Sequence, residues 1–300
     1  MVNVAIAGSN GLAQFIANFL STKTCHQFII LSRFPKPTLV SKGWQVLEVD
    51  YANNSKLRYT LTGVDVVIST ISGQAETALI TAAAQVNVRR FMPSEFEGPP
   101  SLRSFSSLPD RGNSTSISLL QQYGMEYTVF TCGVFYERFA PGGMAAFQIG
   151  QGTRIDREGE YLINLRSMTA EIPYLSDGRN SFICMTSAQD VARAVVAAID
   201  LPRWPTEIRM FGDRVSLTGL VGIVERVSGQ ELKKSFVSVE SLRQLYGQAK
   251  ASNNVRQQSR FAHLMDAGNG CYDFDTCNLT SLVNIQPQRF QEWLRLVWSW

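Results

Sequence analysis

The sequence predicts an α/β fold of the doubly wound parallel type, with helices on both faces of a central sheet. Three observations predict it. Short apolar runs alternate with helical patterns through the first hundred residues. Those runs lack the polar alternation of a half-exposed antiparallel sheet, so both faces of each strand must be buried. A glycine pair, Gly8 and Gly11, sits at the first junction between such a run and a helix.

Residues 2–7 form a compact apolar run that Gly8 ends, which reads as a buried strand. Leu12, Phe15, Ile16, Phe19 and Leu20 then recur at helical spacing. Residues 28–31, 46–49 and 64–70 read as the second, third and fourth strands. Leu57 and Leu61 mark a short amphipathic helix, and residues 75–86 a longer one. Residues 89–92 open a fifth strand, and after Gly124 residues 125–131 read as one sixth strand. Between them the serine-rich stretch 101–118 suits a strand-end loop or lid.

Beyond residue 132 the composition shifts toward glycine-rich loops. Ser187 caps a helix that runs to residue 200, with Val191, Ala194, Val195 and Ala198 on one face. Residues 217–228 and 239–249 read as further helices, and residues 290–300, with three tryptophans, as a docked amphipathic one. The expected organisation is a nucleotide-binding domain over residues 1–150. A smaller, interleaved substrate domain follows over 151–300, with the segment 182–212 returning to the first sheet.

Composition excludes several classes. Hydrophobic residues at 45% of 300 can build a core, and charged residues at 18% fall below the average soluble domain. A net charge of +3, with no run of five like charges, gives no nucleic-acid partner. No apolar stretch approaches the ~20 residues of a membrane helix. Met1 leads straight into a strand with no basic leader, and five scattered cysteines without a C-x-x-C read as reduced thiols. The expected setting is cytoplasmic, as a monomer or homodimer, and the sequons at Asn53, Asn113 and Asn278 are chance matches. Two histidines and scattered cysteines predict no metal site.

The functional signal lies at the strand ends. Gly8-Ser9-Asn10-Gly11-Leu12-Ala13-Gln14 spells G-x-x-G-x-x-Q between the first strand and first helix. A dinucleotide pyrophosphate needs this context, because glycines admit it to the backbone and free helix N–H groups receive its charge. Gln14 stands where a third glycine would allow close packing, and a plain tight turn is the alternative. The second strand ends at Arg33, with Lys36 close behind. An acidic residue there suits the ribose of NAD, whereas an arginine suits the 2′-phosphate of NADP. A solvated surface arginine is the alternative. Thr70 and Ser72, at the end of the fourth strand, leave room for the middle of the cofactor. Together these features predict a Rossmann-type fold binding NADP(H).

Arg90-Phe91-Met92-Pro93-Ser94-Glu95-Phe96 resembles the R-F-x-P-S-E-F segment of the NmrA-like and isoflavone-reductase-like family of atypical short-chain dehydrogenases. Residues 61–68 resemble its L-x-G-x-D-V-V-I strand, 124–128 its G-[IL]-x-[YW]-T strand, 133–135 its G-x-F turn and 190–192 its late D-[IV]-[AG] helix start. The resemblance covers residues 2 to about 239. It implies an NADP(H)-binding Rossmann domain and a smaller, interleaved substrate domain. Family reductases carry hydride to small aromatic or heterocyclic molecules; other members sense the NADP redox state, and some are repurposed as cyclases of secondary metabolism. The family's cofactor roles fall on Gly8, Ser9, Asn10, Gly11, Leu12, Arg33, Thr70 and the segment from Pro93 through Ser94 and Glu95 to Phe96.

One departure stands out. The family's catalytic lysine would fall eleven residues before Gly124, at Asn113, and no lysine occurs between Lys56 and Lys233. A neutral amide can orient a substrate or water but cannot deliver a proton as lysine does. A ketone needs a proton for the developing alkoxide, whereas an iminium is already charged and benefits from a nearby carboxylate. Three readings stay open: an NADPH-dependent reductase, with imines or iminium ions among its candidate substrates; a redox-neutral cyclase or isomerase; and a non-enzymatic NADP sensor. The candidate acid–base residues are Glu95, Asp110, Tyr136 and Glu137, with Asn113 as an orienting group. A structural cap, a solvated side chain and a buried hydroxyl are the alternatives for Glu95, Asp110 and Tyr136. His26 and His263 read as structural. Tyr246 and Lys250 spell Y-x-x-x-K too late in the chain to reach a nicotinamide. The late aromatic residues predict an apolar pocket for a planar or polycyclic substrate.

Overall fold

The computed structural model describes residues 1–102, 114–178 and 181–299. The chain runs β1 (Asn3–Ala7), α1 (Gly11–Lys23), β2 (Gln27–Ser32), α2 (Pro37–Val40), β3 (Gln45–Glu48), α3 (Asn54–Leu61), β4 (Val66–Ser69) and α4 (Gln74–Gln85). It continues through β5 (Arg90–Met92), β6 (Phe96–Glu97), α5 (Ser114–Gln122), β7 (Glu126–Tyr127), β8 (Val129–Thr131), β9 (Val134–Phe135) and α6 (Gly143–Ala146). Next come β10 (Ile163–Asn164), β11 (Thr169–Tyr174), β12 (Phe182–Thr186), α7 (Ala188–Ala198), β13 (Glu207–Arg209) and β14 (Asp213–Ser216). The last elements are α8 (Leu217–Ser228), β15 (Lys233–Ser238), α9 (Val239–Ala251), α10 (Val255–Gly268), α11 (Leu279–Leu282) and α12 (Phe290–Trp298).

Six strands form the main sheet in the order β3-β2-β1-β4-β5-β7, and every pairing is parallel. This is the predicted α/β class. The order reverses between β1 and β4, so the crevice beyond their carboxyl ends is the place for a ligand. One face is covered by α1 and α7, with Ile16 and Leu20 packed among Val191 and Val195. The other is covered by α3, α4 and α5, through Leu57, Ile80 and Leu120. A third core gathers Tyr136, Phe139, Phe290 and Trp293 beneath the small β10-β11-β15 sheet and the helices that follow.

Two expectations need correction. The apolar run 125–131 is not one strand: Thr128 divides it, β7 pairing with β5 in the main sheet and β8 with β6 and β13 in a second one. The serine-rich stretch does not stay a loop to residue 118, because α5 begins at Ser114. Serine is tolerated there because the buried Ser116 hydroxyl donates to Glu76 at 2.9 Å, while Leu120 enters the core. Asp110 and Asn113 lie outside the described residues.

A buried acid makes stability depend on pH. Glu137 accepts the Ala188 amide at the start of α7, at 2.9 and 3.1 Å, and burial raises its pKa from 4.5 to about 7. A carboxyl whose folded pKa is raised stabilises most below the unfolded value, and that contribution fades as pH rises through the folded value. Wild-type stability should therefore fall between about pH 5 and 8, and Glu137→Gln should fall less over the same range. Thermal melts at three pH values check this. Parallel slopes for both proteins would contradict it.

Candidate active site

The site is assembled where β1, β2 and β4 end. Gly8 leaves β1 with φ +109°, its amide donating to the Leu31 carbonyl at 2.9 Å. The Ala7 carbonyl accepts both the amide and the hydroxyl of Thr70, at 2.8 and 2.9 Å. Asn10 caps α1 by accepting the Ala13 amide at 2.9 Å, and its own amide donates to the Thr70 carbonyl at 3.0 Å. The turn and the end of β4 are thus fixed to each other.

A cavity of about 530 Å³ opens on this turn. At one end it is bordered by Gly8, Ser9, Asn10 and Leu12, with Arg33 and Lys36 from the segment after β2. Thr70, Ile71 and Ser72 border its middle. At the other end stand Ser94, Glu95, Phe96 and Glu97, joined by Phe135, Arg138 and Tyr272. Gly133 also borders it, and a Cβ there would lie 2.0 Å from the Cys184 carbonyl oxygen, so only glycine admits this crossing.

The wall near Glu95 is held from behind. Glu76, fully buried in α4, accepts the Ser94 amide at 2.7 Å and the Ser116 hydroxyl at 2.9 Å. Burial raises its pKa from 4.5 to about 7, and the neighbouring Glu95 charge pushes the same way. Glu95 itself is buried, with its backbone carbonyl accepting from Phe130 at 3.1 Å. Phe96 stacks on Phe130, ring centres 6.1 Å apart. Arg138 is anchored by a 2.9 Å hydrogen bond to the Ile155 carbonyl and lies over the Tyr161 ring.

Of the residues the sequence singles out, Gly8, Ser9, Asn10, Leu12, Arg33 and Lys36 border the cavity, as do Thr70, Ser72, Ser94, Glu95 and Phe96. Four candidates do not. Gly11 is buried and its amide donates to the Gln148 carbonyl at 3.0 Å, so that N–H is not free for a phosphate. Pro93 is buried behind the wall, its carbonyl accepting the Glu95 amide at 2.7 Å. Tyr136 is corrected most clearly. Its ring packs on Phe290 and Trp293, and its hydroxyl donates to the Gln288 carbonyl at 3.0 Å. Burial and the nearby Asp213 carboxylate raise its pKa well above the ordinary range, so it keeps its proton in the core. Glu137, fully buried, serves the α7 terminus.

His263 packs its ring edge-on to Tyr161 and shares a 2.7 Å hydrogen bond with the Ser259 carbonyl. Tyr246 and Lys250 lie on α9 and border no part of the cavity. Sequence reasoning missed Arg138 and the stretch from Gln148 to Thr153, and counted Tyr272 only among the late aromatic residues without assigning it to the pocket; all of these border it. The one local signal was the Gly150-Gln151-Gly152 cluster, which read only as a loop.

The turn fits a dinucleotide. The amides of Ser9, Asn10 and Leu12 have no acceptor among the described residues, and Gly8 brings backbone to the cavity wall with no side chain in the way. Such N–H groups at a helix start receive phosphate oxygens. Among the described residues, no group of three or more His, Cys, Asp or Glu side chains is placed to hold a metal. No helix there is long and apolar enough to cross a membrane.

Comparison with known proteins agrees with this architecture. The family model described as "NmrA-like family" matches residues 4–294. Oxidoreductase BOA1 of Botryotinia fuckeliana is 27% identical over 248 residues, 77% of each chain. The isoflavone reductase homolog A622 of Nicotiana tabacum is 25% identical over 231 residues, 69% of this chain and 65% of that protein. Among solved structures, AtPrR2 with NADP+ and (+)pinoresinol superposes with a TM-score of 0.75 at 20% identity, covering 99% of this chain and 98% of that one. The binary complex of leucoanthocyanidin reductase with NADPH from Vitis vinifera gives 0.72 at 19% identity, covering 97% and 98%.

Proposed function

Because the chain belongs to the NmrA-like family, we propose that it is an NADPH-dependent oxidoreductase acting on a small, apolar, aromatic or heterocyclic molecule. The observation that carries this reading is one cavity bordered by the glycine turn at one end and by Arg33 and Lys36 beside it. The amides of Ser9, Asn10 and Leu12 would take the pyrophosphate, and the Arg33 guanidinium the 2′-phosphate. NADPH supplies hydride when bound. Relatives named as oxidoreductases and neighbours holding NADP+ or NADPH support the same assignment. In this reading residues 1–150 carry the cofactor and 151–300 mainly the substrate side, with α7 of the segment 182–212 packed on α1.

For the acceptor we favour an imine or iminium ion. Two carboxylates, Glu95 and Glu97, border the cavity end away from Arg33, and the sequence has no lysine from 57 to 232. A buried carboxylate stabilises a cationic acceptor more than a neutral one, because little water screens it. Phe135 and Tyr272 also border the cavity and add apolar surface to it.

The test is NADPH consumption with matched cyclic iminium ions and ketones of one ring size. The iminium should turn over and the ketone should not. Glu95→Gln should lower kcat/KM for the iminium by about 10–100-fold, a loss of about 1.4–2.7 kcal/mol of transition-state stabilisation. NADPH affinity should be unchanged. Ring closure without net NADPH consumption would instead favour the cyclase reading. Tyr246→Phe and Lys250→Ala should stay within a few-fold of wild type, since neither borders the cavity. A loss of about a hundredfold, the lower end for a general acid, would contradict that.

A further inference from the structure

Gln14 stands where a third glycine of the turn would be, and nothing in the proposed chemistry uses it. Its side-chain amide donates to the Ser9 carbonyl at 3.2 Å and to the Gln148 side-chain oxygen at 3.1 Å. Gln148 comes from a segment distant in sequence, and it meets the turn twice. Its backbone carbonyl accepts the Gly11 amide at 3.0 Å. The approach is close: a Cβ on Gly11 would lie 1.7 Å from the Phe147 carbonyl oxygen. Gly11 is therefore held to glycine by backbone from another part of the chain.

The docked segment is itself constrained. Gln148 holds φ at +57°, a left-handed conformation that side chains rarely adopt, and Gly150 follows at +78°. The Thr153 hydroxyl closes the loop on the Gly150 carbonyl at 2.6 Å. From Gln148 to Thr153 the segment borders the same cavity as Gly8, Ser9 and Asn10. Its ties to the turn are the Gly11–Gln148 backbone bond, the packing of Phe147 and Ile149 against Gly11, and the Gln14–Gln148 side-chain pair; the side-chain pair is the one a substitution at Gln148 can remove alone.

We propose that residues 147–153 are a clasp at the pyrophosphate end of the dinucleotide site, and that the Gln14–Gln148 pair sets how long the cofactor stays bound. The inference rests on the NADPH reading above. Gln14 and Gln148 act as positioning residues. With the pair intact the segment walls in the phosphates; with it broken the wall loosens and release quickens, while entry changes little. Affinity differences between related complexes lie mostly in the off-rate for this kind of reason.

The experiment is stopped-flow binding and displacement of NADPH on the full chain, with wild type, Gln14→Ala, Gln148→Ala and the double variant. Gln148→Gly is added because glycine suits the +57° backbone and removes only the side chain. Each single variant should release NADPH about 5–10-fold faster, a shift of about 1–1.4 kcal/mol, with association within about two-fold of wild type. The double variant should be no faster than Gln14→Ala alone, since Gln14→Ala already breaks the Gln14–Gln148 bond together with its bond to the Ser9 carbonyl. Off-rates equal to wild type in Gln148→Gly would overturn the clasp, as would a double variant whose effect is the product of the two singles. Wild type that binds no NADPH would overturn the underlying reading, and the clasp with it, before any variant is compared.

Discussion

Gly8→Ala should weaken NADPH binding by at least about a hundredfold and lower folding stability by about 2–4 kcal/mol. Two costs coincide at this residue. The backbone sits at φ +109°, outside the regions open to L side chains. A Cβ built there would also lie 2.2 Å from the Thr70 hydroxyl oxygen and 3.2 Å from Ile71 Cγ2. Thr70 cannot swing away freely, because its hydroxyl donates to the Ala7 carbonyl at 2.9 Å. If it shifts as a unit it drags the Asn10 amide, which donates to the Thr70 carbonyl at 3.0 Å, and Asn10 caps α1. The same methyl thus displaces both the backbone and the helix start that receive phosphate. Denaturant unfolding and an NADPH titration on one preparation check both halves. Affinity within threefold of wild type would contradict the assignment of the turn.

Arg33→Ala should cost about 10–100-fold in NADPH affinity and leave NADH affinity unchanged. The scale is that of one charge-assisted contact, about 1.4–2.7 kcal/mol. Arg33 is exposed at the cavity border, so the guanidinium gains most when a phosphate dianion is present to meet its planar fork. Arg33→Lys should recover only part of the loss, because an ammonium is a point charge without the fork. Raising the salt concentration should narrow the gap between NADPH and NADH, since the contact is screened. Equal loss for both cofactors would place Arg33 somewhere other than at the 2′-phosphate.

What could be seen in the sequence was local. Gly8 and Arg33 are legible because a turn with positive φ and a strand end each leave a mark within a few residues. Most of the six-stranded sheet was legible for the same reason, its strands being short apolar runs; α5, the helix before β7, read as loop. The division at Thr128 was not, because an apolar run looks the same whether it feeds one sheet or two. Tyr136 shows the limit at side-chain level: its position after Gly133 suggested the pocket, yet its hydroxyl finds Gln288, 152 residues away in sequence. Gly11 is similar. Its place in the turn pointed to phosphate, and its need for glycine comes from Phe147. Contacts of this range leave no local pattern, and the clasp, Arg138 and Tyr272 all belong to that class.

The central claim is that the cavity bordered by the glycine turn and Arg33 is an NADP(H) site. Equilibrium titration of the wild-type chain with NADPH and with NADH, followed by cofactor fluorescence at fixed salt, tests it most directly. The account predicts saturable binding of one NADPH per chain, at least about tenfold tighter than NADH, a difference of about 1.4 kcal/mol. Equal affinities, or no saturable binding of either cofactor, would contradict it.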